Sequence, residues 1–279
     1  MTRYVGVIGN PIAHSLSPTL HNAAFAELGL DWHSTAILVR NGDAHKVLPQ
    51  MRDTPFVGLS VTMPLKTDMV ALVDTCSDTA RRLNAVNCLI NRDGVIRGEN
   101  TDGEGFLASL ERGAGFSPAG RRCVVLGAGG AARAVILALA EAGASEVTVI
   151  NRTPWRAEAA AELAGRAGRV LGTGADAPEA VVAQADLVVN ATPQGMVASG
   201  NGVEAGSPVD AALLHHGQVV ADLIYVPRPT SWLKEAAEAG ATPVDGLGML
   251  VHQAAAQITL WTGRPAPVEA MWRAVEEGG

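Results

Sequence analysis

Short, near-continuous apolar runs recur along the chain, and most are closed by glycine, asparagine or proline. Tyr4 to Ile8, stopped by Gly9-Asn10-Pro11, predicts a buried strand. Ser17-Pro18 predicts a helix start, with serine as the N-cap, proline at the first helical position and Gly29 past the last turn. Thr35 to Val39 reads as a weak strand and Val57 to Val61 as a stronger one, after which Pro64 opens another helix. Val86 to Ile90 and Val95-Ile96 flank Asn91-Arg92-Asp93-Gly94, a hairpin with a turn signal.

After Asp102-Gly103 the texture changes. A helix over Glu104 to Arg112 leads into a linker rich in Gly, Ser and Pro, and from there strands and helices alternate. Strands are expected at Cys123 to Leu126, Glu146 to Ile150, Leu187 to Asn190 and Val219 to Val226. Helices are expected at Ala131 to Ala142, Trp155 to Ala164 and Trp232 to Ala239. This βαβ rhythm with apolar strands implies a parallel sheet covered on both faces. Leu247 to Trp261 reads as one helix, with Asp245 near its start and Gly263 at its end. The expected fold class is α/β in two domains. Residues 1–102 are expected as one α/β domain, 103–245 as a second with the parallel sheet, and 246–279 as C-terminal helices.

Composition narrows the function classes. The 279 residues carry 21 Lys+Arg against 28 Asp+Glu, a formal net charge of −7 that gives no nucleic-acid footprint. Hydrophobic residues at 48% and charged residues at 18% exclude intrinsic disorder. The most apolar stretch, Ala134 to Ala140, is closed by Arg133 and Glu141, far short of the roughly 20 residues a membrane span needs. The N-terminal run is broken too early to read as a signal peptide. Cys76, Cys88 and Cys123 cannot all pair and have no metal-ligand spacing, so a reduced cytoplasmic protein without metal is expected.

The strongest generic motif is Cys123-Val-Val-Leu126 running into Gly127-Ala128-Gly129-Gly130-Ala131-Ala132. Glycines let the backbone turn tightly and approach a pyrophosphate, and the following helix offers free N–H groups to the anion. A strand–helix turn without a ligand would show the same residues. At the end of the next strand, where an acidic side chain would hold the ribose diol of NAD, stand Asn151-Arg152-Thr153, with Arg156 beyond. A carboxylate there would repel a 2′-phosphate, whereas a guanidinium pairs with it, so NADP(H) is expected over NAD(H). A solvated loop arginine is the plain alternative.

Lys66 falls in the first turn after Pro64, where the helix dipole disfavours a cation. Partial desolvation and that helix end would both favour the neutral amine a general base needs, although an exposed surface lysine fits the position as well. Asp102 reads equally as the cap of a helix starting at Gly103. Ser15 and Ser17 suit caps or turns, Asn87 a turn, and Gln253 a polar position on an amphipathic helix.

Taken in order, these segments resemble the shikimate dehydrogenase family over almost the whole chain. Gly9 to Pro18 with His21-Asn22 is similar to its N-terminal substrate loop, and Gly58-Leu-Ser-Val-Thr62-Met-Pro-Leu-Lys66 to its lysine motif. Asn84-Ala-Val-Asn87 and Glu99-Asn-Thr-Asp102-Gly103 resemble the next blocks. Gly127 to Ala131, Asn151-Arg152-Thr153, Asn190 to Met196, Asp222 to Pro227 and Gly246 to Gln253 complete the likeness. The resemblance implies NADP-linked interconversion of 3-dehydroshikimate and shikimate, with 1–102 as the substrate-binding domain, 103–245 as the NADP-binding Rossmann-like domain and 246–279 as helices that return to the first domain. It also implies that Ser15 and Ser17 hold the substrate carboxylate with Tyr225 nearby, and that Thr62, Asn87, Asp102 and Gln253 bond the ring hydroxyls. Lys66 and Asp102 become the acid–base pair. Asp78 and the backbone near Leu223 and Gly246 become further cofactor contacts, beside Gly127, Ala128, Gly129, Gly130, Ala131, Asn151, Arg152, Thr153 and Arg156. Three positions depart from the family pattern: Ser60 where asparagine is usual, Asn84 where glycine is common, and Cys88 where threonine is.

Three rival readings remain at this level. One is a quinate/shikimate dehydrogenase of broader specificity. Another is a non-catalytic NADP-binding regulator, which would need neither Lys66 nor Asp102. A methyltransferase using the Gly-rich turn is disfavoured by Arg152. Expected partners are a small-molecule substrate, with no nucleic acid and no membrane, in a monomer or homodimer.

Overall fold

The computed structural model describes residues 2–172, 178–196 and 206–276. Two compact units result: residues Met1–Gly105 together with Leu250–Gly279, and residues Phe106–Met249.

The first unit contains β1 (Arg3–Gly9), α1 (Ser17–Glu27), β2 (Trp32–Leu38), α2 (Val47–Arg52), β3 (Phe56–Val61), α3 (Lys66–Leu72), β4 (Thr75–Cys76), α4 (Asp78–Leu83), β5 (Cys88–Arg92), β6 (Val95–Glu99) and the start of α5 (Asp102–Ala114). Its strands form a six-stranded sheet ordered β2-β1-β3-β5-β6-β4. β1 lies parallel to β2 and β3, whereas β5 runs antiparallel to both β3 and β6. The hairpin turns at Asp93 and Gly94, both at positive φ, the backbone a two-residue hairpin requires. Leu48, Met51, Leu59, Val61, Leu65, Met69, Leu89 and Ile96 belong to one buried cluster on this sheet.

Local details differ from the sequence reading here. Leu16, not Ser17, is the N-cap of α1, and Ser17 is already helical and buried. The helix after Pro64 begins at Lys66. α4 was not foreseen; Ser77 caps its start by accepting from Ala80 N, and Asn84 ends it in the left-handed conformation with φ 49°. That backbone is what glycine supplies most cheaply and asparagine tolerates, so the departure at position 84 keeps the helix stop intact.

The second unit holds β7 (Arg122–Leu126), α6 (Gly130–Glu141), β8 (Glu146–Asn151), α7 (Pro154–Ala161), β9 (Gly168–Gly172), α8 (Pro178–Ala183), β10 (Leu187–Asn190), β11 (Val219–Asp222), α9 (Ser231–Glu238) and β12 (Thr242–Val244). All its strand pairs are parallel, in the order β12-β11-β10-β7-β8-β9. The order reverses between β7 and β10, the doubly wound arrangement whose ligands bind at the strands' carboxyl ends beside that switch point. Alternate residues feed two apolar layers. Cys123, Val125, Val147, Val149, Leu187 and Val189 lie in one, and Val124, Leu126, Ile150, Val188 and Val220 in the other. Burial on both faces is why these strands read as unbroken apolar runs. β11 ends at Asp222, four residues before the expected Val226, because Asp222 turns its carboxylate inward to bond the backbone of Ile224.

The chain then enters α10 (Gly246–Thr262) and α11 (Val268–Glu276). α10 starts in the second unit and continues into the first, as α5 runs the opposite way. Within the first unit, Gln257 Nε2 donates to Asn87 O at 3.1 Å and Trp261 Nε1 to Leu89 O at 3.0 Å. Four helix residues rise about 6 Å, and two strand residues advance about 6.7 Å, so one turn of α10 keeps step with the chain at β5.

Candidate active site

One end of the first unit's sheet gathers the chemistry-bearing residues. The loop after β1 carries Ser15 and leads into α1 at Ser17, the turn after β3 carries Thr62 and leads into α3 at Lys66, the chain entering β5 carries Asn87, and α5, after β6, begins at Asp102. The antiparallel register Ser60↔Cys88↔Glu99 brings the entry of β5 beside the exits of β3 and β6. Sequence spacing alone does not show this convergence.

Lys66 Nζ lies 2.6 Å from Asp102 Oδ2, with side-chain exposures of 22% and 7%. Asn87, buried, donates from Nδ2 to Asp102 Oδ1 at 2.7 Å and to Thr101 Oγ1 at 3.0 Å. Its Oδ1 accepts the Thr101 backbone N–H at 2.9 Å. Both oxygens of the Asp102 carboxylate are therefore engaged by side-chain donors, and the helix-cap reading does not describe them. At the start of α5, Asn100 Oδ1 accepts the Asp102 N–H. Thr101 Oγ1 donates to Gln253 O at 3.1 Å, which ties α10 to the same cluster. Close helix approach makes this possible: a Cβ on Gly105 would stand 2.6 Å from Gln253 N.

Ser15 Oγ accepts the Ser17 N–H at 3.3 Å, so the two serines share one turn. Thr62 sits at the turn into α3, its carbonyl accepting from Leu65 N. Tyr225 lies in the second unit, where burial pushes its phenol above the usual tyrosine range. Asp78 lies in the first unit with an exposed carboxylate 3.0 Å from Arg81, while the other expected cofactor residues lie in the second. Thr101 and Gln257 belong to the hydrogen-bonded cluster although the sequence reading gave them no role. The available signal was a pair of glutamines, Gln253 and Gln257, one turn apart on a predominantly apolar helix.

In the second unit the expected cofactor residues follow the carboxyl ends of parallel strands. Gly127 leaves β7 with φ 108°, and a Cβ there would stand 3.0 Å from Ala191 O after β10. Only glycine makes that turn at the switch point without strain. Among the described residues, Cβ atoms on Gly129 and Gly130 would meet nothing within 4 Å, and no side chain caps α6. That open, donor-bearing helix end fits a pyrophosphate. Arg152 and Arg156 are exposed beyond β8, and the Arg156 guanidinium lies 5.2 Å from the Trp155 ring centroid. Asn151 Nδ2 donates to Thr153 O, closing the loop that carries Arg152. These residues fit a 2′-phosphorylated dinucleotide. Asp222, buried below, accepts from Asn190 Nδ2, Ile224 N and Thr230 Oγ1, and burial pushes its carboxyl above the usual range.

Comparison with known proteins supplies the lineage. Residues 7–89 match the shikimate dehydrogenase substrate binding domain, 111–231 the shikimate / quinate 5-dehydrogenase family, and 246–276 the shikimate 5′-dehydrogenase C-terminal domain. The shikimate dehydrogenase (NADP(+)) of Methanopyrus kandleri is 46% identical over 281 residues, spanning 99% of this chain and 96% of its own. This chain belongs to the shikimate dehydrogenase family.

Among solved structures of shikimate dehydrogenases, that of Thermus thermophilus in complex with NADP(H) and shikimate has a TM-score of 0.89 at 37% identity, covering 99% of both chains. Quinate dehydrogenase from Corynebacterium glutamicum in complex with NAD has a TM-score of 0.90 at 33% identity, again over 99% of each chain. Two departures from the shikimate dehydrogenase pattern, Ser60 and Cys88, are direct partners across β3 and β5, and both are buried. Among the described residues no helix is long and apolar enough to cross a membrane, and no group of His, Cys, Asp and Glu is placed to hold a metal ion.

Proposed function

We propose that this protein is an NADP-dependent oxidoreductase that interconverts 3-dehydroshikimate and shikimate. The observation that carries the reading is the Lys66–Asp102 contact at 2.6 Å, inside a cluster that also fixes Asn87 and Thr101. Ser15 and Ser17 are suited to the substrate carboxylate through their hydroxyls. Thr62, Asn87, Asp102 and Gln253 offer donors and acceptors to ring hydroxyls, and Tyr225 is a further candidate for the substrate.

The proton chemistry follows from the pair. When the ring ketone is reduced, negative charge develops on its oxygen, and an ammonium at Lys66 Nζ donates a proton there. In the opposite direction, neutral Lys66 takes the hydroxyl proton. Asp102 holds the amine in place, while Asn87 holds Asp102. The nicotinamide, when bound, supplies or accepts the hydride. Gly127, Ala128, Gly129, Gly130 and Ala131 would hold the pyrophosphate of that cofactor. Arg152 with Asn151, Thr153 and Arg156 would hold the adenosine 2′-phosphate. Asp78 and the backbone at Leu223 and Gly246 are proposed as its remaining contacts.

The direct test is absorbance at the nicotinamide band after shikimate and NADP are mixed with the protein. Appearance of the reduced cofactor is expected, and no change with either cofactor would overturn the reading. The likeness to quinate dehydrogenase from Corynebacterium glutamicum favours one secondary reading, turnover of quinate as well, which steady-state kinetics with both acids decides. The proposed setting is the cytoplasm, consistent with the free thiols of Cys76, Cys88 and Cys123, and the proposed assembly is a monomer or homodimer.

A further inference from the structure

A carboxamide can be turned end for end, and the two directions offer opposite hydrogen-bonding faces to a ligand. Gln253 is held in one of them. Its Nε2 donates to Leu250 O at 2.7 Å, and its Oε1 accepts from Gln257 Nε2 at 2.9 Å. Gln257 Nε2 also donates to Asn87 O at 3.1 Å. The chain of bonds thus ends on two backbone carbonyls, which can only accept. Turning Gln253 over would set its oxygen against Leu250 O and its NH2 against that of Gln257. Turning Gln257 over would set its oxygen against both Asn87 O and Gln253 Oε1. Either reversal leaves like partial charges facing each other in a buried place, so one direction is selected.

Resting on the reading of Gln253 as a substrate-binding residue, we propose that Gln257 is a positioning residue: it fixes the Gln253 carboxamide in the direction that leaves the second Nε2–H as a donor for a ring oxygen of the substrate. A merely structural role does not account for Gln257. It is 0% exposed, yet its Oε1 has no hydrogen-bond partner among the described residues, an arrangement that costs stability. Asn87 O does not depend on it, since Val61 N donates there at 2.7 Å. An apolar side chain of similar volume would fill the same space without the orphaned oxygen. What the amide supplies beyond packing is the donor to Gln253 Oε1.

The test uses Gln257→Leu in the full-length protein, with Gln257→Met, unbranched and of similar length, if the leucine variant does not fold. Thermal stability is expected to be equal or higher. The KM for shikimate should rise about tenfold, with kcat and the KM for NADP nearly unchanged. In a Gln253→Ala background the same substitution should leave the shikimate KM where Gln253→Ala put it, because its effect travels through Gln253. An equal rise in both backgrounds, or no rise in either, overturns the proposal. A readout independent of turnover is solvent exchange of the Gln253 side-chain amide protons by 15N NMR, without ligands. Exchange about tenfold faster in the variant is expected, and unchanged exchange overturns the proposal. A protein inactive on shikimate would refute the substrate reading, while the amide exchange would still decide the role of Gln257.

Discussion

Lys66 Nζ and Asp102 Oδ2 stand 2.6 Å apart although 36 positions separate them in the chain. The contact exists because β5 and β6 fold back between them and because Asn87 occupies the other oxygen of the same carboxylate. An ammonium held this way is placed for proton transfer. Lys66→Ala is therefore expected to lower kcat by about 10²–10⁴ while shikimate affinity changes little. Stopped-flow turnover with equilibrium binding checks this, and an unchanged kcat would remove Lys66 from the chemistry.

Arg152 is exposed beyond β8, where no carboxylate stands at the strand end. Its proposed partner is a phosphate that only one of the two nicotinamide cofactors carries. Arg152→Ala should raise the KM for NADP by ten- to a hundredfold, of order 1.4–3 kcal/mol, and that for NAD hardly at all. Parallel rises for both cofactors would show that the arginine meets no 2′-phosphate.

His21 is fully buried, with Nδ1 at 2.9 Å from Ser34 Oγ and its ring edge-on to Trp261. Burial pulls its pKa from 6.5 down to about 3. The unfolded chain thus binds a proton between these values that the folded chain refuses. Stability is fully present above pH 6.5 and falls as the pH drops toward 3, by up to about 1.4 kcal/mol per pH unit from this one group. His21→Phe should flatten that slope in urea unfolding measured from pH 7 to pH 4.5. An identical slope in both proteins would mean another group drives it.

Gly105 lies where α5 meets Gln253 of α10, and an added methyl group would fall 2.6 Å from a backbone nitrogen. Backbone cannot rotate away as a side chain would. Gly105→Ala adds helix propensity worth about 1 kcal/mol, but overpacking against a rigid helix costs about 1–3 kcal/mol, so a net loss of stability is expected. The Thr101–Gln253 bond should lengthen with it, raising the shikimate KM. Denaturant midpoints and steady-state kinetics on the same variant check both parts; a more stable variant with wild-type KM would contradict the close approach.

Much of this protein is written locally. The apolar runs of β7, β8 and β10 declare a sheet buried on both faces, and Gly127 declares a turn no other residue makes comfortably. Arg152 at a strand tip is legible for the same reason, since its position follows from the strand that precedes it. Short or polar elements such as β4, α4 and β12 were not legible, because their stability comes from neighbours rather than from their own periodicity. By residue type and spacing Asp102 and Asn87 read only as a cap and a turn, their roles coming from the family resemblance, and Gln257 had no role at all. A sequence shows which groups could donate or accept. Which of them meet is decided by strand register and helix packing, which join Thr101 to Gln253 across 152 positions and Asn87 to Gln257 across 170.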